Sequence, residues 1–166
     1  VPAPDAERIV RDISKTINML ETVRALAAAR AAKSGSWRRE GAASPAHDLA
    51  RKTGTTVTKA KETLDVGEKL TALPTLDAAA RAGELSPSQA APIADAATAD
   101  PNAERRLIDK AKRSSVGELR DECARTKAAA EPDDDARHKA IHRSRHLRKR
   151  RCADGAAELQ YRSTAE

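Results

Sequence analysis

Residues 137–151, RHKAIHRSRHLRKRR, hold eight Lys/Arg and three of the four His of a 166-residue chain, with no acid among them. Cations at that density repel one another unless an anion lies against them. Nucleic-acid phosphates suit the role, because neutralising them releases condensed counterions. Read as a helix, the segment places Ala140, Ile141, Ser144 and Leu147 in one narrow sector and His138, His142, Arg145 and Lys149 opposite. Lys139, Arg143, His146 and Arg150 fill the flanks, and Arg137, Arg148 and Arg151 extend the charge. A thin anchoring stripe beneath a broad cationic face predicts contact with a nucleic-acid backbone, DNA first. Four to eight phosphate contacts would give a log–log salt slope of about −4 to −7. A solvated basic arm is the bland alternative, and an acidic protein or membrane surface a third. Without apolar bulk opposite the charge, membrane insertion is poorly served.

His138, His142 and His146 stand at i, i+4 and i+8, and the first two could meet a metal as helical His pairs do. Arg145 and Lys149 share their sector and oppose a dication, and no nearby carboxylate or Cys completes a site. The expectation is therefore no metal and no cofactor on these residues. Imidazoles facing phosphates would instead tighten binding as pH falls toward 6.

A second candidate runs from Leu49 to Ala60. A small residue in a first helix, Gly54 in the turn and Ala60 six positions later meet the steric needs of a helix-turn-helix. Its second helix would present Lys59 and Lys61 as secondary phosphate contacts. It also carries Glu62, Asp65 and Glu68, and no Arg, Asn or Gln suited to bidentate base contacts. A plain helical hairpin is the better reading. Acids elsewhere are scattered on solvent faces, no Ser-His or Cys-His arrangement can be placed, and there is no Gly-rich phosphate loop. Cys123 and Cys152 fit no metal spacing and read as reduced thiols of a cytoplasmic protein.

The elements that must position these groups are helical. Leu, Ile and Val total 24 and Phe is absent, so the core must be thin. Alanines at helical spacing argue for closely packed helices rather than disorder. The net charge is +6, yet outside 137–151 the chain holds 23 Lys/Arg against 25 Asp/Glu: one segment carries the basicity. From about Asp5 to Lys33, Ile9, Ile13, Ile17, Leu20, Val23, Leu26 and Ala27 form one apolar stripe. This helix would lie across the domain or pair with a copy of itself as a homodimer. Trp37 follows in a loop. Ser44-Pro45 caps a short helix ending at Gly54, and Thr55 or Thr56 caps the next, limited by Pro74. A short helix over 75–82 closes at Gly83. Ser86-Pro87-Ser88-Gln89 and Ser115-Val116-Gly117-Glu118 are capping-box patterns, with Pro92 expected to kink or restart the first of those helices. Pro101 opens another helix.

Asp133, Asp134 and Asp135 suit the N-terminus of the basic helix. Residues 156–162 alternate weakly and read as one strand after the Asp154-Gly155 turn, its partner lying past Glu166 or in another chain. The expected organisation is a long helix over 1–35, a helical domain over 36–130, an acidic linker over 131–136, and a basic helix with extension over 137–166. The fold class is an all-α, multi-helix bundle with a helix-turn-helix-like hairpin, followed by one short strand. No apolar run approaches 18 residues, so no membrane span is expected. The start, Val1-Pro2-Ala3-Pro4-Asp5, reads as a piece of a longer protein.

Leu70-Thr71-Ala72-Leu73-Pro74 and Ala82-Gly83-Glu84-Leu85-Ser86-Pro87-Ser88-Gln89-Ala90 carry a family resemblance. So do Ala50-Arg51-Lys52-Thr53-Gly54 upstream, and Ile141-His142-Arg143-Ser144-Arg145-His146-Leu147-Arg148 with Asp154-Gly155 downstream. Across roughly Ser36 to Tyr161 the chain resembles domain of unknown function 222, the thirteen-E-twelve repeat family of high-GC Gram-positive (actinobacterial) organisms. The resemblance implies a helical region preceding an HNH endonuclease domain, in which a His activates water and a divalent metal stabilises the transition state. Asn18 and Asn102 are the only Asn residues and lie far from any His. No catalytic residue is carried over, and enzymatic activity would belong to a downstream domain. The expected function is an accessory nucleic-acid-binding module of such a nuclease. The alternatives are a protein–protein or oligomerisation module and a nuclease-free regulator.

Overall fold

In the computed structural model, residues 2–130, 139, 142–152 and 155–163 are described. The chain divides into two compact units, Val1–Lys127 and Ala128–Glu166. The first is a helical bundle: α1 (Ala3–Ser34), α2 (Ser36–Arg39), α3 (Pro45–Thr53), α4 (Val57–Leu70), α5 (Pro74–Arg81), α6 (Pro87–Ala99), a 3-10 turn (Pro101–Ala103), α7 (Glu104–Ala111) and α8 (Val116–Ala130). The second contains an antiparallel hairpin of β1 (His146–Arg151) and β2 (Ala157–Arg162). No helix among the described residues is long and apolar enough to cross a membrane.

Local chemistry explains most helix starts. Ser44 and Thr56 accept hydrogen bonds from the His47 and Lys59 amides at 3.3 and 3.2 Å, satisfying donors that a first turn leaves orphaned. Both anticipated capping boxes form. The Gln89 Oε1 accepts from the Ser86 amide at 2.9 Å, and Glu118 accepts from the Ser115 amide at 2.8 Å. Gln89 also donates through Nε2 to the Ala111 carbonyl at 2.8 Å, tying the start of α6 to the end of α7. α5 lacks a side-chain cap of its own. The buried Glu104 of α7 supplies one, its Oε1 accepting from the Leu76 amide at 2.7 Å.

Two expectations change here. α6 continues through Pro92 without a restart. The carbonyl that Pro92 leaves without its i→i−4 donor belongs to Ser88, which is exposed in the first turn and open to water. Trp37 belongs to the helical turn α2 rather than a loop; its indole N–H donates to the Ala32 carbonyl at 3.3 Å, and the Arg38 guanidinium stacks 4.4 Å from its ring centroid.

The core is built from few large side chains. Leu70, Leu76, Leu85, Ile93, Leu107 and Leu119 are fully buried, and alanines fill the space between them. α6 is the central helix, burying Ala90, Ile93, Ala94, Ala96 and Ala97. A smaller cluster of Ala46, Ala50 and Ala60, flanked by Leu49, Val57 and Leu64, closes α3 onto α4.

α1 docks on the bundle through small residues. Thr22, Ala25 and Ala29 are its buried positions. A Cβ added to Gly67 of α4 would lie 2.1 Å from the Ala25 carbonyl oxygen, so the two backbones meet where only glycine fits. Nearby, the Thr22 hydroxyl donates to the Ala80 carbonyl at 3.1 Å and Asn18 Nδ2 to the Gly83 carbonyl at 3.3 Å. Gly83 has φ +73° and sits against the Lys15 carbonyl, so it is required twice over. The aliphatic stripe read from the sequence is not what packs: among its members only Leu26 reaches the main core, while Ile9, Ile13, Ile17, Leu20 and Val23 are exposed.

Gly67→Ala tests this contact. On an exposed helix the change would gain about 1 kcal/mol from propensity. Against the Ala25 backbone it is expected to cost a net ~1–3 kcal/mol from overpacking, read as a lower urea midpoint; an unchanged midpoint would refute the close approach.

Acid should also weaken the bundle. Hydrogen bonds from Lys52, with Arg51 adding to them, hold the Asp48 carboxyl below its ordinary range. The Ser115 amide and hydroxyl do so for Glu118, and Arg106 followed by Arg125 for Glu122. The native state therefore binds these protons less readily than the unfolded chain. The stability involved is present above the ordinary carboxylate range and is lost as pH falls through the lowered native values. Urea midpoints should drop below roughly pH 4, with a shallower drop in Glu122→Gln.

Candidate nucleic-acid interface

The basic segment is not one helix. Lys139, His142 and Arg143 are helical and exposed, with the Arg143 Nε donating to the Lys139 carbonyl at 3.3 Å. The helix ends at Ser144, and His146–Arg151 form β1. Arg137, His138, Ala140, Ile141 and the acidic run 131–136 lie outside the described residues, and with them the His138/His142 pair. His146, expected one turn beyond His142 on a helical face, begins a strand, and its Nδ1 lies 2.9 Å from the Ser144 carbonyl oxygen.

The expected single strand at 156–162 does form, but its partner is neither past Glu166 nor in another chain: it precedes the strand in this one. β1 supplies it, in the register His146↔Arg162, Leu147↔Tyr161, Arg148↔Gln160, Lys149↔Leu159, Arg150↔Glu158 and Arg151↔Ala157. The Cys152 amide donates to the Ala156 carbonyl at 2.7 Å and the Gly155 amide to the Cys152 carbonyl at 3.0 Å, closing the turn. Gly155 has φ +86°, a conformation that glycine adopts at no steric cost.

Why strand wins over helix follows from the charges. On a helix the run from Arg148 to Arg151 would crowd its cations within one turn. A strand sends successive side chains to opposite faces and spaces same-face neighbours by about 6.8 Å. Cross-strand pairing of Leu147 with Tyr161 and of Arg150 with Glu158 then adds contacts that an isolated helix lacks.

Period-two alternation sorts the ribbon into two faces. One carries Leu147, Lys149 and Arg151 opposite Tyr161, Leu159 and Ala157. The other carries His146, Arg148 and Arg150, with Gln160 and Glu158 of the opposing strand. Arg148, Lys149, Arg150 and Arg151 are all exposed. Arg150 pairs with Glu158 at 3.4 Å, well exposed, where such a pair contributes little. Leu147, Leu159 and Tyr161 are also exposed, Tyr161 at 73%. A cationic ribbon with an aromatic and two leucines on one face can lie against phosphates and bases, and a two-stranded ribbon fits a DNA major groove about 12 Å wide. Sequence reasoning missed Gln160 and Tyr161 as members of this surface. The alternation over 156–162 was their signal, and it pointed to them only once the opposing strand was known.

The other candidate is a helical hairpin with mixed charge. α3, the αL residue Gly54 and α4 follow the anticipated boundaries. Lys61 is exposed, but Lys59 pairs with Glu62 at 3.2 Å, Lys33 pairs with Glu68 at 3.4 Å, and Lys69 pairs with Asp65 and Asp95. α4 thus presents an ion-paired surface rather than a row of free cations.

Beside it lies a cleft of about 410 Å³, lined by Lys59, Glu62, Asp65, Asp95, Arg120 and Cys123 among others. Burial, with the Glu122 carboxylate adding to it, pushes the Cys123 thiol up to about 11. It stays protonated near neutral pH and is a poor nucleophile. Both cysteines are free thiols. Among the described residues no group of three His, Cys, Asp or Glu stands close enough to share a metal.

A family model described as "Domain of unknown function (DUF222)" matches residues 7–166. No curated protein and no solved structure matches the chain.

Thiol alkylation at neutral pH should modify Cys152, which is half-buried at the ribbon turn, and spare Cys123 until denaturant is added. Equal native rates at both sites would contradict the burial of Cys123 in the main core.

Proposed function

The chain belongs to the domain of unknown function 222 family, and from that premise we propose that it is an accessory module that binds nucleic-acid backbone, DNA first, through the β1–β2 ribbon. The observation that carries this reading is a row of exposed cations that meets one carboxylate among the described residues. β1 presents four consecutive Lys/Arg, all exposed, and the opposing strand places one carboxylate, Glu158, against them. A two-stranded hairpin alone is marginal in water, and this one adds self-repulsion to that weakness. A polyanion laid along it removes the repulsion and releases counterions. Lys139, His142, Arg143 and Arg145, exposed before the strand, extend the same contact. Arg137 and His138 join it by sequence, and Lys59 and Lys61 are secondary.

Base specificity is low in this reading. Gln160 and Tyr161 are the ribbon groups suited to reading or stacking on bases, and both sit among cations that grip any sequence. Such a module serves to hold DNA for a nuclease centre of the HNH type supplied elsewhere in the protein. That centre would bring its own divalent metal.

Titrating unrelated short duplexes from low to moderate salt tests the proposal. A log–log slope between about −4 and −7 is expected. Arg148→Gln/Lys149→Gln/Arg151→Gln should make the slope shallower by nearly 3, whereas Lys59→Gln/Lys61→Gln should change it by less than 1. An affinity independent of salt, or one that the triple variant leaves unchanged, would overturn the reading.

A further inference from the structure

α1 exposes a row of aliphatic side chains on one side: Ile9 at 45%, Val10 at 65%, Ile13 at 54%, Ile17 at 51%, Leu20 at 65% and Val23 at 55%. The helix docks on its own bundle by the opposite side. At 100° per residue, Asn18, Thr22, Ala25 and Ala29 centre nearly half a turn away from Ile9, Ile13 and Leu20. The bundle therefore leaves this row uncovered, and it holds the helix that carries the row through the Thr22–Ala80 and Asn18–Gly83 hydrogen bonds.

The spacing of the row is specific. Ala6, Ile9, Ile13, Thr16, Leu20, Val23 and Ala27 alternate by three and four over three heptads, the 3.5-residue period of a helix seam wound around a second helix. Val10 and Ile17 widen the seam on one flank.

We propose that α1 is a self-association helix, along which a second copy of this chain lays its own α1. Three observations select that occupant. The six aliphatics stand 45–65% exposed in one contiguous row, the kind of apolar patch that marks an interaction site. Two such rows face to face can approach the roughly 1,200 Å² at the lower end of a specific stable interface. Over residues 5–24, the stretch that bears the row, the charges are balanced: Asp5, Glu7, Asp12 and Glu21 against Arg8, Arg11, Lys15 and Arg24, with Asp5–Arg8 and Glu21–Arg24 already paired; Arg30 and Lys33 follow beyond it. Along that stretch neither sign is in excess to select a charged partner, and a balanced rim can meet its own image. The face is also preformed and fixed, so little ordering cost opposes association. This proposal is independent of the nucleic-acid reading.

Sedimentation equilibrium of the 166-residue chain from ~1 to ~200 μM, where an interface of this size should assemble, is expected to show reversible association of 17.8 kDa chains. Ile13→Asp/Leu20→Asp should raise the dissociation constant at least ~100-fold. Its helical circular dichroism should be retained, because both side chains face water in the single chain. Should that variant fail to fold, Ile13→Gln/Leu20→Gln is the substitute. Independently, Leu20→Cys in a Cys152→Ser background should cross-link between copies faster than Arg38→Cys in the same background. A chain monomeric throughout the range, an oligomer that tolerates the seam substitutions, or a monomer that floats with phosphatidylglycerol vesicles would each overturn the proposal.

Discussion

The contact between α1 and α4 at Gly67 sets the terms for the helical unit. With no Phe and few large aliphatics, the chain cannot fill wide gaps between helices, so its helices must approach until backbone nearly touches backbone. Dispersion then acts over many short contacts instead of a few bulky ones. That approach consumes small residues: Ala25 and Ala29 against Gly67, Ala46 and Ala50 against Ala60, and the alanines of α6 at the centre. A single methyl at Gly67 meets a carbonyl oxygen that cannot move without shifting α1 as a whole.

The same economy decides what α1 shows to water. Because its small-residue side is the one that fits against α4, the side bearing Ile9, Ile13, Leu20 and Val23 is turned outward. An isolated amphipathic helix would have buried its larger side chains. Here geometry outranks hydropathy, since a row of branched side chains would hold α1 and α4 too far apart for Gly67 and Ala25 to meet. The aliphatic row is left for another surface.

Charge is handled differently in the two units. In the bundle, cations sit beside acids in local pairs or clusters, as in Glu40 and Asp48 with Arg51 and Lys52, or Arg106 with Glu122. Those pairs are largely exposed and tune the carboxylates more than they hold the fold. The ribbon instead gathers Arg148, Lys149, Arg150 and Arg151 opposite one Glu. The difference is that acids stand beside these cations of the bundle, whereas β2 sets a single carboxylate against the ribbon's.

The sequence by itself determined the helical class, the capping boxes at Ser86 and Ser115, the α3–Gly54–α4 hairpin, the strand after Gly155 and the confinement of basicity to one segment. All of these rest on neighbours within a few residues, where propensity and hydrogen-bond geometry act locally. Tertiary structure decided the rest. Which side of α1 is buried depends on Gly67, forty-two residues beyond Ala25, and Glu104 caps a helix that begins thirty residues earlier. Whether HLRKRR is helix or strand depends on the pairing segment across the turn. Periodicity can place residues on a common face, but only the partner brought up against that face settles whether it becomes core, rim or open surface.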